Sequence, residues 1–175
     1  MLHKDYLMRM IMEMIMGIRR IWTLPERERR GMAEDIEQAV GDAVNIDPEL
    51  FFSLEPDSTV TMLEMGDVDE SVAEYVVHAI FLEATMLESE GKLQKARLRR
   101  EQGAAIARYF GCSVPDSAAS AESLVQIFLE DPEKRLEEKK APQEAGEMGD
   151  SSERLAEEAA KRLSALGISA DKLKF

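Results

Sequence analysis

Apolar residues recur at three- and four-residue steps through most of this chain, and that spacing restricts the fold more than any other feature. One face of an α-helix repeats every 3.6 residues, so the spacing predicts amphipathic helices. No segment alternates convincingly as a strand, although residues 68–77 are rich in β-branched side chains. The first helix is expected over residues 3–22, with an apolar seam of Leu7, Met10, Ile11, Met14, Ile18 and Ile21. The sequence therefore predicts an all-α protein.

Proline, glycine and capping residues mark the ends of the later helices. Pro25 disfavours helical geometry in the residue before it and suits the first turn of a new helix. Asp47 is an expected N-cap, Gly91 an expected turn and Gly111 an expected helix stop. Together these signals predict helices over residues 25–44, 48–54, 56–65, from 67 or 69 to 90, 92–110 and 120–129.

The chain divides into a domain and a tail. At 175 residues it can form one typical domain with an appendage. We expect a helical domain over residues 1–131 and a polar, Gly- and Pro-punctuated linker over residues 132–150. An amphipathic C-terminal helix is expected within residues 151–175, with Leu155, Ala159, Leu163 and Leu166 aligned.

Charge is arranged in blocks. The formal net charge is −13, yet residues 31–91 carry 16 acidic groups and no Lys or Arg, whereas residues 92–110 carry 6 basic groups and 1 acidic group. Binding to nucleic acid requires a concentrated basic footprint, and the acidic segment would repel phosphate from the basic helix beside it. We therefore predict no nucleic-acid partner and interpret the basic helix as intrachain compensation.

Cysteine content and hydropathy indicate the compartment. A single cysteine, Cys112, excludes an intramolecular disulfide and a thiolate metal cluster, and indicates a reducing environment. The most apolar window, residues 6–24, has the length of a membrane span but contains four charged residues, among them Arg9 and Glu13. We expect no transmembrane segment, no secretory signal and a cytoplasmic location.

The centre of the chain predicts two helices that lie close together. Small residues follow at steps of 7, 5 and 7, at Ala84, Gly91, Ala96 and Gly103. This spacing is similar to the tetratricopeptide pattern, in which small residues let two antiparallel helices approach and turn. Ile80 and Leu87 also match, whereas Glu83 and Arg100 stand where that pattern prefers apolar side chains. The similarity implies a tetratricopeptide-like hairpin rather than a regular array.

The chain as a whole also resembles a family of bacterial helical proteins of unknown function. The resemblance lies in the opening DYLMRMI at residues 5–11 and in IDPEL at residues 46–50 with Ser53 and Leu54 after it. It also lies in Tyr109-Phe110, where the predicted hairpin ends. It covers residues 4–111 and implies a helical fold while leaving the activity open.

Three sets of residues are candidates for interaction. If the hairpin register is right, its first helix presents a peptide groove of His78, Phe81, Thr85, Glu88 and Ser89. Residues off or at the edge of the first seam form an N-terminal docking or partner surface of Tyr6, Met8, Met12, Met16 and Trp22. Glu83 and Arg100 would form an ion pair between the two helices, unless each extends to solvent.

Catalytic and metal chemistry have little support in the sequence. Glu74 and His78 lie one turn apart, but a stable metal site would need two more ligands. Cys112 follows a helix end, where the dipole disfavours a thiolate. We predict no catalytic residue, no metal ligand and no cofactor. The predicted function is a non-catalytic module for protein–protein interaction or assembly that binds a protein or peptide. Its alternatives are an enzyme or small-ligand binder with a pocket between helices, and a structural homodimer formed by the first helix.

Overall fold

The computed structural model describes residues 2–141, which are largely helical and contain no strand. The all-α prediction is confirmed for this part of the chain. Its helices are α1 (Leu2–Trp22), α2 (Glu26–Arg29), α3 (Ala33–Val44), α4 (Pro48–Ser53), α5 (Pro56–Met65), α6 (Glu70–Ser89), α7 (Leu93–Phe110), α8 (Ala121–Leu129) and α9 (Pro132–Lys140).

Helix α1 packs on the bundle through its apolar seam. Leu7 is half-buried and contacts the core. A Cβ atom on Gly17 would lie 2.6 Å from Cβ of Ala39 on α3, so these two helices approach at a distance that glycine permits. The buried residues of α1 are Met10, Ile11, Met14, Ile15, Ile18 and Ile21.

Helices α6 and α7 pack against each other in antiparallel orientation. Their side-chain contacts run in opposite order, from Glu88 with Arg100 near the turn to Phe81 with Gly103 farther away. Gly91 makes the turn at φ +78°, a conformation that glycine adopts without strain. A Cβ atom on Gly103 would lie 2.7 Å from Cε2 of Phe81.

Capping residues begin and end several helices as predicted. The carboxylate of Asp47 accepts a hydrogen bond from the N–H of Leu50 at 2.8 Å, and that of Asp69 accepts from Val72 at 3.0 Å. Each satisfies a backbone donor in the first turn of its helix. Gly111, at φ +78°, ends α7.

The single helix predicted over residues 25–44 is wrong in its middle. Gly31 adopts φ +89°, and the chain forms the short α2 before it and α3 after it. The N–H of Gly31 donates to Oε1 of Glu90 at 2.7 Å, so the break is held by the end of α6. That contact joins residues far apart in the sequence, which is why local periodicity missed it.

Residues 2–136 belong to one compact unit. Helix α9 occupies the start of the predicted linker, residues 132–150. The rest of that linker and the helix predicted within residues 151–175 lie outside the described residues.

Candidate functional site

A pocket opens where the end of α1 and helix α2 meet the last turns of α6 and the first turn of α8. Its volume is about 190 Å³, whereas pockets that enclose a drug-sized ligand measure about 300–1,000 Å³. The space therefore suits one inserted side chain. We call it the junction pocket; its lining residues are Trp22, Glu26, Arg29, Arg30, Thr85, Met86, Ser89, Glu90, Ala121 and Glu122.

Contacts between distant segments build the wall of the junction pocket. The guanidinium carbon of Arg29 lies 4.0 Å from the centre of the Trp22 ring, a cation–π contact that orders the corner between α1 and α2. Glu90 accepts the Gly31 N–H and also pairs with Nζ of Lys92 at 2.8 Å. These contacts position the α2 segment against the end of α6.

The polar groups of the pocket are suited to recognition. Ser89 and Thr85 donate their hydroxyl hydrogens to backbone carbonyls one turn earlier. Oγ1 of Thr85 also accepts from Nη2 of Arg100 at 3.5 Å, and each hydroxyl oxygen still keeps an acceptor lone pair. The hydrogen bond from Lys92, together with that from Gly31, holds the pKa of Glu90 below its usual range. A carboxylate kept ionised in this way is a poor general acid near neutral pH.

A second polar constellation lies inside the protein and is centred on Arg99. Its Nε donates to Oε1 of Glu83 at 2.8 Å and its Nη2 to Oε1 of Glu37 at 2.6 Å. Its Nη1 donates to the carbonyl of Phe52 at 2.8 Å and to Oε1 of Gln102 at 3.0 Å. This buried network joins α3, α4, α6 and α7, and its guanidinium also lies over the Phe52 ring, 4.6 Å from its centre.

The two carboxyl groups of the buried network differ in acidity. Burial, with a contribution from the neighbouring Glu37, raises the pKa of Glu83 to about 9 despite Arg99. Burial would also raise the pKa of Glu37, but hydrogen bonds from Glu83, Arg99 and Lys95 outweigh it and lower that pKa.

No N–H or O–H group among the described residues reaches Oε2 of Glu83. A hydrogen bond between the two carboxyls therefore requires the proton that Glu83 retains. Neither Glu83 nor Arg99 lines the junction pocket, and the arrangement is that of a structural network.

A second, shallower pocket of about 410 Å³ lies between α5 and α7. A hydrogen bond to Glu64 raises the pKa of Tyr109 there. None of the interaction residues predicted from the sequence lines this pocket. Its lining residues are Asp57, Val60, Thr61, Glu64, Ala105, Arg108 and Tyr109.

The predicted groove is only partly accessible. Thr85 and Ser89 line the junction pocket, together with Trp22 from the predicted N-terminal surface. Phe81 is wrong as a groove residue, because its side chain is 3% exposed and packs against Gly103. Glu88 is exposed but paired with Arg100, and His78 is half-buried with Nδ1 2.9 Å from the carbonyl of Glu74. The structure thus unites members of two predicted sets that the sequence treated separately.

The predicted pair of Glu83 with Arg100 is also wrong. Glu83 pairs with Arg99, and Arg100 makes two hydrogen bonds to Glu88, at 2.8 and 2.9 Å. The buried face of α7 as a whole identifies the correct partner. Arg99 lies three residues before Gln102 and seven before Ile106, both of which are buried, so it shares their face, whereas Arg100 is turned toward the side of the hairpin.

The predicted N-terminal surface divides in two. Tyr6 and Trp22 are half-buried and contact the core, and an arginine lies over each ring. Met12 and Met16 are 38% and 59% exposed, and Met8 is half-buried. The three methionines are absent from the described core cluster.

Within residues 2–141, no group of three or more His, Cys, Asp or Glu side chains is placed to hold a metal ion. Glu74, part of the candidate pair with His78, instead contacts Arg135, with 3.2 Å between Oε1 and Nη2. No described helix is long and apolar enough to cross a membrane. No protein-family model, curated protein or solved structure matches the chain.

Proposed function

We propose that the protein is a non-catalytic module for protein–protein interaction that receives a side chain of a peptide in the junction pocket. The carrying observation is that Trp22, at the end of α1, and Thr85 and Ser89, in the last turns of α6, converge on one small pocket. Its aromatic and thioether groups offer apolar contact, and the two hydroxyl oxygens offer acceptors to peptide N–H groups.

The hairpin supports this proposal. Small residues at Ala84, Ala96 and Gly103 let α6 and α7 pack closely, and Gly91 makes the turn between them. This packing supports the part of the proposal that the pair is a tetratricopeptide-like hairpin. Folds of this kind present helix faces as binding surfaces. In this chain, helix α2 and the start of α8 cover part of such a face and leave the junction pocket open.

The test is selection of peptides from a random displayed library on the full chain, followed by fluorescence polarisation with the selected peptides. Ser89→Phe fills the pocket from its α6 wall. We expect it to weaken binding about tenfold or more, a change of about 1.4 kcal/mol.

Ser53→Phe is the matched control. Ser53 is exposed on α4, and its hydroxyl donates to the carbonyl three residues earlier at 2.7 Å, as that of Ser89 does. This variant should bind the selected peptides as the wild type does. Failure to select any peptide, or equal binding by the wild type and Ser89→Phe, would overturn the proposal.

A further inference from the structure

The outer face of α1 carries an apolar stripe that lies outside the core packing of the described residues. Met8, Met12 and Met16 follow at steps of four residues, and the latter two are substantially exposed. Methionine adapts to irregular surfaces because its side chain is unbranched and its sulfur polarisable. This methionine stripe lies on the side of α1 away from the seam that docks it on the bundle.

Charges of opposite sign stand at the two ends of the methionine stripe. Asp5 lies seven residues before Met12 and Arg19 seven residues after it. At about 100° per residue, these two side chains and the three methionines fall within an arc of about 80°. Along α1 the stripe therefore begins with an acidic residue, continues with three methionines and ends with a basic residue. The two charged residues are equally far from Met12 and have opposite charge.

Arg19 is fixed at its end of the stripe. Its Nε and Nη2 donate to the carbonyls of Phe128 and Glu130 on the adjoining end of α8. Those acceptors are neutral, so the charge of Arg19 has no described carboxylate to balance it. Leu129, between these two residues in the sequence, has an exposed side chain.

From this pattern we propose that α1 forms an antiparallel homodimer whose two-fold axis passes close to Met12. Antiparallel pairing sets Met12 against the partner's Met12 and Met8 against the partner's Met16. Asp5 then faces the partner's Arg19, about 10 Å from the axis given a rise of 1.5 Å per residue. A two-fold axis requires one self-complementary patch on both copies, and the stripe has that property.

Charge decides between a second copy and other occupants. A parallel pair would set Asp5 against Asp5 and Arg19 against Arg19, which is repulsive at both ends. A uniformly acidic or basic partner would be attracted to the charge at one end of the stripe and repelled by the charge at the other. A helix with the same charges in reversed direction matches both ends, and a second copy supplies it.

Cysteine cross-linking of the full chain tests the geometry in a Cys112→Ser background. Met12→Cys should form a disulfide dimer on mild oxidation, since the two positions meet at the axis. Met8→Cys and Met16→Cys should not cross-link with themselves, but an equimolar mixture of the two should give the mixed dimer. Self-cross-linking of Met8→Cys or Met16→Cys to the same extent as the mixture would overturn the antiparallel arrangement.

Sedimentation equilibrium tests the association itself. The wild type should approach twice its monomer mass of 19.7 kDa as its concentration rises through the micromolar range. Met16→Glu should weaken dimerisation about tenfold or more, whereas Met65→Glu, at an exposed methionine on α5, should leave it unchanged. Asp5→Arg should weaken it too, and Asp5→Arg with Arg19→Glu should recover part of the loss. A wild-type protein that stays monomeric throughout contradicts the proposal.

Discussion

Arg99 donates a hydrogen bond to Glu83 across the α6–α7 interface, with 2.8 Å between Nε and Oε1 and both side chains withdrawn from solvent. Because Glu83 keeps its proton, the charge partner of Arg99 is Glu37, whose Oε1 lies 2.6 Å from Nη2. Removing Arg99 takes this partner from Glu37 and leaves the buried acceptors of Glu83 and Gln102 without a donor, and breaking a buried charge pair costs about 3–5 kcal/mol. We therefore expect Arg99→Ala to lower the free energy of unfolding by about that amount. Urea denaturation followed by circular dichroism measures it.

Arg100 provides the control, one residue away on the same helix. Its pair with Glu88 is at the surface, where such contacts contribute about 0–1 kcal/mol. Arg100→Ala should therefore cost far less than Arg99→Ala. Equal losses in the two variants would show that the buried network has no special weight in stability.

The acidity of Glu83 predicts an unusual dependence of stability on pH. Its pKa rises from an ordinary 4.5 to about 9 on folding, so the folded chain holds a proton that the unfolded chain releases across this window. Protonated Glu83 therefore contributes its full stabilisation at acid pH. As the pH rises toward 9 this contribution is lost, and the free energy of unfolding falls by at most about 1.4 kcal/mol per pH unit. Denaturation midpoints across this pH range measure the effect.

Glu83→Gln isolates the source of that slope. The amide keeps an acceptor for Arg99 and supplies a permanent donor toward Glu37, so it imitates the protonated acid. The variant should fold at neutral pH and lose most of the decline in stability toward pH 9. Glu88→Gln, at the exposed end of the same helix, should keep the fall in stability toward pH 9. If the stability of that variant did not change with pH, the fall would come from a group other than Glu83.

Local signals predicted much of the fold. Asp47 and Asp69 accept the hydrogen bonds that begin α4 and α6, and Gly91 and Gly111 adopt the left-handed conformations that end α6 and α7. Each of these features depends on a few neighbouring residues, so the sequence contains it directly. The break at Gly31 was missed because it depends on Glu90, which is remote in the sequence.

The candidate sites were harder to predict because they combine distant segments. Thr85 and Ser89 were identified from the register of α6, but their pairing with Trp22 depends on the path of α2. The predicted partner of Glu83 is wrong by one residue, because the spacing of Ala96 and Gly103 fits Arg99 and Arg100 equally well and only the burial of Gln102 and Ile106 places Arg99 inside. A shift of one residue on a helix turns a side chain by about 100°, from the interior to the rim.

The close approach of Gly17 to Ala39 predicts a reciprocal pair of variants. Gly17→Ala sets two Cβ atoms 2.6 Å apart, so α1 and α3 must separate. Overpacking of this kind costs about 1–3 kcal/mol, more than the gain of about 1 kcal/mol from removing a glycine within a helix. We expect thermal unfolding to show a lower melting temperature for this variant.

Ala39→Gly in the Gly17→Ala background moves the missing methyl group to the other helix. The contact is relieved, and stability should return to near that of the wild type because each helix exchanges one glycine for one alanine. If the double variant is less stable than Gly17→Ala, the loss does not come from this contact.

Tyr75 predicts a substitution that stabilises the protein. Its side chain is fully buried against Phe128, with ring centres 5.8 Å apart, and its hydroxyl has no hydrogen-bond partner among the described residues. Burial raises the pKa of Tyr75 to about 12, so the group stays neutral. Tyr75→Phe keeps the ring and removes the desolvated hydroxyl, and should raise the free energy of unfolding by about 1 kcal/mol in urea denaturation.

Tyr109→Phe is the control. The hydroxyl of Tyr109 is exposed and hydrogen-bonded to Glu64, so its removal should give no gain in stability. A loss of stability in Tyr75→Phe would mean that the buried hydroxyl is satisfied in solution.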